Sequence, residues 1–335
     1  MVATRREVAQ AANVSLRTVS NVVNGFPSVA PDTRERVLRV IERLDYRPSE
    51  IARMLKRGRS GLIALLLPEL DTPYFAELTR AFVELGTARG YTVVIDQTDG
   101  DVARELELIN QTDRGSLFDG LIVSPLGLRP EHMQGISAER PVVFLGEDTH
   151  SGFDQVMIDN VAAARTAVSH LIGLDRTRIA AIGAEPHRPA SSTIRLAGYQ
   201  AALDDAGIAI DPKLIGYVNA FRRHDGASAM SHLLDLDHPP DAVFCFSDPL
   251  ALGALRTLHE RGIRVPEDIA VVGFDDIEDG RYSTPTLSSI SPDKTYIASK
   301  ALDLLTARLD GTFEPPRAYF APFELKIRES SPVAS

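Results

Sequence analysis

Apolar positions recur at helical spacing twice within residues 4–25, on either side of a polar break. Val8, Ala9 and Ala12 make one small apolar face. Thr4 and Glu7 form a capping box that starts this helix. Asn13 breaks it, because Asn tolerates the left-handed conformation of a tight turn. Ser15 then caps a second helix. On it Val19, Val22 and Val23 fall on one side, while Leu16, Arg17, Ser20 and Asn21 fall on the other. Asn24-Gly25 ends it. A third helix is expected over 31–44, with Pro31 at its first position. Its apolar face, Val37, Leu38, Val40, Ile41 and Leu44, covers the first two helices. It ends before Pro48. Residues 49–56 are amphipathic but too few for an isolated helix in water. A polar, glycine-punctuated stretch follows.

From Leu62 the period changes. Short apolar runs over 62–67, 91–95, 120–123, 142–145, 156–158, 179–182, 214–218, 242–246 and 269–272 read as buried strands. They alternate with helical patterns over 74–89, 101–114, 160–174, 191–206, 226–236 and 248–261. A late helix over 294–309 and late strands within 320–327 close the chain. Repeated strand–helix units predict parallel sheets with helices on both faces. The strands are too many for one ordinary sheet, so two similar subdomains are expected.

The chain has 335 residues and a net charge of −10, which by itself argues against nucleic acid. The distribution reverses that. Residues 1–60 hold 12 Lys and Arg against 6 Asp and Glu; of totals of 36 and 46, this leaves 24 against 40 for the rest. A basic head can meet phosphates while an acidic body is repelled by them. A short helix with one buried face and one polar, basic face suits the DNA major groove; an ordinary surface hairpin is the plain alternative. No run of apolar residues is long enough for a membrane span, and the start shows no secretory pattern. The single cysteine, Cys245, lies in an apolar run and excludes an internal disulfide framework. These features predict a cytoplasmic protein.

In doubly wound sheets, ligands bind beyond the carboxyl ends of the strands. The residues there are Asp71, Tyr74 and Phe75; Ser124; Glu147; Asp248; and Asp275. Arg195 opens one of the helices. Carboxylates accept hydroxyl hydrogens, an Arg fork donates, and aromatic faces stack on rings. Plainer roles exist for each: Asp248 as a helix cap, Asp275 as a turn former, Arg195 as a surface charge, Tyr74 and Phe75 as core. No P-loop, GxGxxG, HExxH or GxSxG pattern occurs, so neither catalysis nor a metal or other cofactor is expected.

The wording V-S-x-x-T-V-S-x-V-x-N over residues 14–24 resembles the start of lactose-repressor-type (LacI/GalR) transcription regulators. The likeness continues through Tyr46-Arg47-Pro48 and most of the chain. It implies an N-terminal all-α helix-turn-helix DNA-binding domain over 1–48 and a hinge helix and linker over 49–60. It also implies an α/β periplasmic-binding-protein-like core of two doubly wound parallel-sheet subdomains over 61–335. Subdomain one would take about 61–159 plus 291–320, and subdomain two about 160–290 plus 321–330, with three crossings between them.

The resemblance further implies a homodimeric repressor on double-stranded, near-palindromic operator DNA, controlled by a small effector. That effector is most often a sugar, with a purine as another possibility. Thr4, Arg5, Ser15, Leu16, Arg17, Thr18, Ser20, Asn21, Asn24, Ser28 and Thr33 match the family's DNA-contacting positions, and Ala52 and Leu55 its minor-groove residues. Asp71, Tyr74, Phe75, Ser124, Arg195, Phe221, Asp248 and Asp275 are expected at the effector, with Glu147 added from its strand-end position alone. Two departures stand out. Asn21 occupies the usual Arg position, and Asn pairs with adenine or a phosphate where Arg reads guanine; Arg17, one turn earlier, is then the candidate for guanine and Leu16 for a thymine methyl. Ala30 replaces a capping Ser or Thr. The competing expectation is a solute-binding protein of the same two-lobed build.

Overall fold

The computed structural model describes residues 3–23, 26, 29–46, 59–110, 117–136, 140–146, 152–185, 189–312 and 314–333. The expectations for Asn24, Gly25, Ser28, residues 47–58 with Ala52 and Leu55, the helix end at 114, and Glu147 lie outside the described residues. The chain divides into two compact units, Met1–Gly61 and Leu62–Ser335.

The first unit holds α1 (Arg5–Ala11), α2 (Leu16–Val23) and α3 (Pro31–Arg43). The capping box forms as expected: Thr4 N–H donates to Glu7 Oε2 at 2.6 Å, and Glu7 N–H to Thr4 Oγ1 at 3.3 Å. Asn13 turns the chain with φ 52. Ser15 Oγ accepts from Thr18 N–H at 3.0 Å and so caps α2. Val8, Ala9, Ala12, Val19, Val22, Val37, Val40 and Tyr46 form the core. Two positions depart from the pattern. Leu38 stays 49% exposed, while Ser20 is 8% exposed. Ser20 is small and borders the valine face of α2, so its neighbours cover it. Ala30 precedes α3 without any side-chain cap.

The second unit contains, in chain order, β1 (Leu62–Leu67), α4 (Pro73–Ala88), β2 (Thr92–Gln97), α5 (Val102–Asn110), β3 (Gly120–Val123), β4 (Val142–Gly146), β5 (Asp154–Ile158), α6 (Asn160–Gly173), β6 (Ile179–Ala184), α7 (Pro189–Asp205), β7 (Ile215–Tyr217), α8 (Arg223–Leu234), β8 (Ala242–Cys245), α9 (Asp248–Glu260), β9 (Ala270–Phe274), α10 (Glu278–Arg281), β10 (Ser288–Pro292), α11 (Lys294–Leu309), β11 (Ala318–Ala321) and β12 (Phe323–Lys326). One sheet has the order β11-β5-β4-β3-β1-β2, the other β12-β10-β9-β8-β6-β7. Both begin at one edge with a 2-1-3 arrangement. Each therefore has a switch point, between β1 and β3 and between β6 and β8. Every pairing is parallel except β10 with β12.

The strand β10 and the short helix α10 were not expected from the sequence. Ser288-Ser289-Ile290-Ser291-Pro292 carries little apolar signal, yet every residue of it but Ser291 is buried. Its serines answer to polar partners instead: Ser288 N–H donates to Ser330 Oγ at 2.8 Å, and Ser289 Oγ to Asp248 Oδ1 at 2.6 Å.

The chain passes between the sheets three times, each time through one residue. Asp159 joins β5 to α6, Asp293 joins β10 to α11, and Pro322 joins β11 to β12. The two aspartates cap the helices they start, accepting from Ala162 N–H at 2.9 Å and Tyr296 N–H at 2.8 Å. Their backbones match, with φ −74 and ψ 81 at Asp159 and φ −73 and ψ 87 at Asp293. Asp293 N–H also donates to the Pro322 carbonyl at 2.9 Å, which ties two crossings together.

Candidate functional site

In the first unit, the residues expected at DNA gather at helix starts. Thr4 and Arg5 open α1, Ser15 to Thr18 open α2, and Thr33 lies in the first turn of α3. Unpaired backbone N–H groups and the helix dipole make such ends suited to phosphates. Leu16 is 50% exposed; Arg17 is exposed and Asn21 half-buried beside it, one turn on. Burial takes Ser20 off this open face. The hydroxyls of Ser15 and Thr18 share a hydrogen bond of 2.9 Å, so the cap presents both together.

In the second unit, a cleft of about 1070 Å³, its open mouth included, lies at both switch points. Pro68 and Glu69 follow β1, Ser124 and Pro125 follow β3, Glu185 follows β6 and Ser247 follows β8; all line it. The wall from the first sheet and its helices is mostly apolar: Tyr74, Phe75, Leu78, Leu145, Val156, Ile158 and Ile297. The rings of Tyr74 and Phe75 pack edge to face at 5.2 Å. The wall from the second sheet brings Glu185, Arg195, Phe221, Ser247 and Asp275.

Arg195 is 5% exposed, which removes the surface-charge alternative. Its Nε donates to Asn160 Oδ1 at 2.8 Å, its Nη1 to the Phe246 carbonyl, and its Cζ lies 3.6 Å from the Phe274 ring centroid. Asp275 has φ 111, a strained value for a residue with a side chain. Lys294 Nζ holds that turn by donating to the carbonyls of Asp275 at 2.5 Å and Asp276 at 3.3 Å. Burial works to raise the Asp276 carboxyl, but hydrogen bonds and charge from Arg328, with Ser291 and Arg281, keep it below the usual range.

Asp248 does not line the cleft. It is fully buried behind Asp275, accepting from Ile277 N–H at 2.8 Å and Ser289 Oγ at 2.6 Å. Burial, with Asp275 nearby, pushes its carboxyl well above the usual range. Nor is it the cap of α9; Ser247 is, accepting from Leu250 N–H. Asp71 is exposed on the rim and bonded to Arg222 at 2.7 Å, which holds its carboxyl below the usual range.

Behind the first wall, the buried Glu105 accepts from the N–H groups of Leu126 at 2.9 Å, Gly127 at 3.3 Å and Leu128 at 3.0 Å. It thereby fixes the loop carrying Ser124 and Pro125, although burial raises its carboxyl.

Residues 4–49 match the profile of bacterial regulatory proteins of the lacI family, and residues 168–331 that of the periplasmic binding protein-like domain. Catabolite control protein A of Priestia megaterium is 30% identical over 97% of this chain and 98% of its own. The chain belongs to the LacI family of bacterial regulatory proteins. Among solved structures, the transcriptional regulator CelR–cellobiose complex is 32% identical, with TM-score 0.72 over 98% of this chain and 99% of its own. The lac repressor dimer bound to operator and the anti-inducer ONPF is 25% identical, with TM-score 0.89 over 99% of this chain and 100% of its own. This LacI-family member is a DNA-binding transcriptional regulator, built as a helix-turn-helix unit and two parallel-sheet α/β subdomains.

Of the residues expected at the effector, the cleft brings together Tyr74, Phe75, Ser124, Arg195, Phe221 and Asp275. Five polar residues of the cleft were not among those expected at the effector: Glu69, Thr72, Glu185, Ser191 and Ser247. Glu185 directly follows β6, and Glu69 and Ser247 stand two residues beyond β1 and β8, so the strand-end rule reaches them as it does Ser124. Among the described residues, no helix is long and apolar enough to cross a membrane.

Proposed function

We propose that this regulator represses transcription as a homodimer on a near-palindromic operator, and that a neutral sugar in the cleft controls its hold on DNA. The observation that carries the effector reading is the composition of the cleft. It sets Tyr74 and Phe75 on one wall against Phe221, Asp275, Glu185 and Arg195 on the other, at two facing switch points. Sugars present apolar ring faces to aromatics and hydroxyls to carboxylates and guanidinium. The cellobiose complex of a whole-length relative supports the same class.

A two-fold protein reads a two-fold site. The operator-bound dimer of a relative supports this arrangement. Each protomer places the Leu16–Asn21 face of α2 in one half-site, with Thr4, Arg5, Ser15, Thr18 and Thr33 at phosphates. Asn24, Ser28, Ala52 and Leu55 belong to the same proposal by family position. The DNA-binding domain spans 1–48, the hinge 49–60 and the effector core 61–335. Regulation proceeds by binding alone, without a catalytic step, in the cytoplasm.

The test is selection of bound duplexes from random DNA by the full-length chain at about 0.1 M salt, repeated with neutral sugars and with purines. An inverted repeat released by a sugar is the expected result. Release by a purine alone overturns the sugar assignment. No enrichment under any condition overturns the near-palindromic operator reading.

A further inference from the structure

Arg222 stands one residue beyond Phe221, at the start of α8 on the second-sheet side of the cleft. Its guanidinium reaches across to the loop after β1, on the first-sheet side. Nη1 meets Asp71 Oδ2 at 2.7 Å and Nη2 meets Glu69 Oε2 at 3.0 Å. The same Glu69 oxygen accepts from Thr72 Oγ1 at 2.7 Å, and Leu70 N–H donates to Gln97 Oε1 at 3.2 Å. The receiving loop is therefore braced on its own side. Residues 219–221 form bends between β7 and α8, without strand or helix to hold them. Phe221 lines the cleft from this segment.

A second link crosses nearby, where Glu278 N–H donates to Glu77 Oε1 at 3.0 Å; on the first-sheet side Lys294 Nζ meets Glu77 Oε2 at 2.9 Å. That link has a backbone donor, and its Glu77 is shared with the lysine that holds the Asp275 turn; the Arg222 bridge is made by side chains alone and is independent of that turn.

We propose that Arg222 is a positioning residue for the effector cleft: by bridging Glu69 and Asp71 across the mouth, it holds Phe221 over the site and slows exchange of the occupant. This rests on the cleft being the effector site. One guanidinium between two carboxylates matches the fork geometry of Arg. At the rim such a bridge adds little to fold stability, so its removal leaves the fold intact. It acts on the balance between closed and open mouths, where small differences change populations.

The experiment is hydrogen–deuterium exchange on the full-length chain, without effector, comparing wild type, Arg222→Met, Arg222→Lys, Asp71→Asn and the double variant Arg222→Met with Asp71→Asn. Exchange over 218–222 is expected to quicken by about threefold or more in Arg222→Met and Asp71→Asn. Arg222→Lys recovers part of the protection. The double variant is no faster than Arg222→Met, because one interaction cannot be lost twice. Raising salt from about 0.05 to 0.5 M quickens exchange in wild type and not in Arg222→Met. Unchanged exchange, or additive effects in the double variant, overturns the proposal. Titration with cellobiose and other neutral sugars by calorimetry runs beside it to find a bound sugar, and stopped-flow displacement of that sugar is expected to show faster dissociation from Arg222→Met. If no sugar binds wild type, the effector reading fails while the exchange result still decides whether Arg222 bridges the mouth.

Discussion

At the scale of single residues, Asn21 is the position on α2 from which base preference is predicted to change. An amide offers one donor and one acceptor edge, matched to adenine N6 and N7; a guanidinium offers only donors, matched to guanine O6 and N7. Asn21→Arg is therefore expected to move the selected base opposite α2 from adenine toward guanine, by about 1–3 kcal/mol of discrimination. Sequencing of bound duplexes reads this, and an identical base pattern before and after would show that Asn21 reads no base. Asp248 gives a second prediction. Its carboxyl is raised by burial, so its contribution to stability is present below the ordinary carboxylate value and lost as pH climbs through the raised one. Asp248→Asn has no such titration. Urea unfolding at about pH 5 and pH 8 should show wild type losing ground relative to the variant as pH rises. A difference that does not move with pH means that Asp248 does not titrate in that range. The strand-end rule found Asp248 but not its place: Ser247 faces the cleft, while the neighbouring side chain turns into the core. Residues one position apart look alike to a rule that counts from strand ends.

At the scale of elements, the strands and helices with strong apolar periodicity were legible in the sequence, β1 and α11 to the residue. What was not legible was β10. Its buried face is serine, and the signal that places it lies elsewhere in the chain, in Asp248, Arg328 and Ser330. Periodicity detects burial only where burial is apolar. In α3 the missing cap was legible as a departure, and the structure shows no side-chain bond at Ala30. Ala30→Ser is expected to stabilise the first unit by about 1 kcal/mol by satisfying an N–H of the first turn. Thermal unfolding of the full-length chain checks it; a fall in the midpoint of that transition would mean that backbone geometry there does not allow the cap.

At the scale of the whole molecule, two units carry two binding tasks. Removing residues 1–61 should abolish operator binding and leave sugar affinity within about twofold, because effector and DNA communicate only by a shared coupling, commonly ~1–3 kcal/mol. Calorimetry and duplex retention read both tasks separately. Loss of sugar binding on truncation would mean that the cleft depends on the first unit for its form.

The three crossings carry a mechanical consequence. Each is a single residue; Pro322 has its φ fixed by its ring, and the two aspartates are locked by the helices they cap. Three short pins set side by side forbid sliding and stretching, and leave rotation about the line through them. The hydrogen bond from Asp293 to Pro322 makes two of those pins one part. A tug at the mouth, far from that line, becomes a turn of one sheet against the other, and a displacement of a side chain becomes an angle that the far ends of both sheets must share.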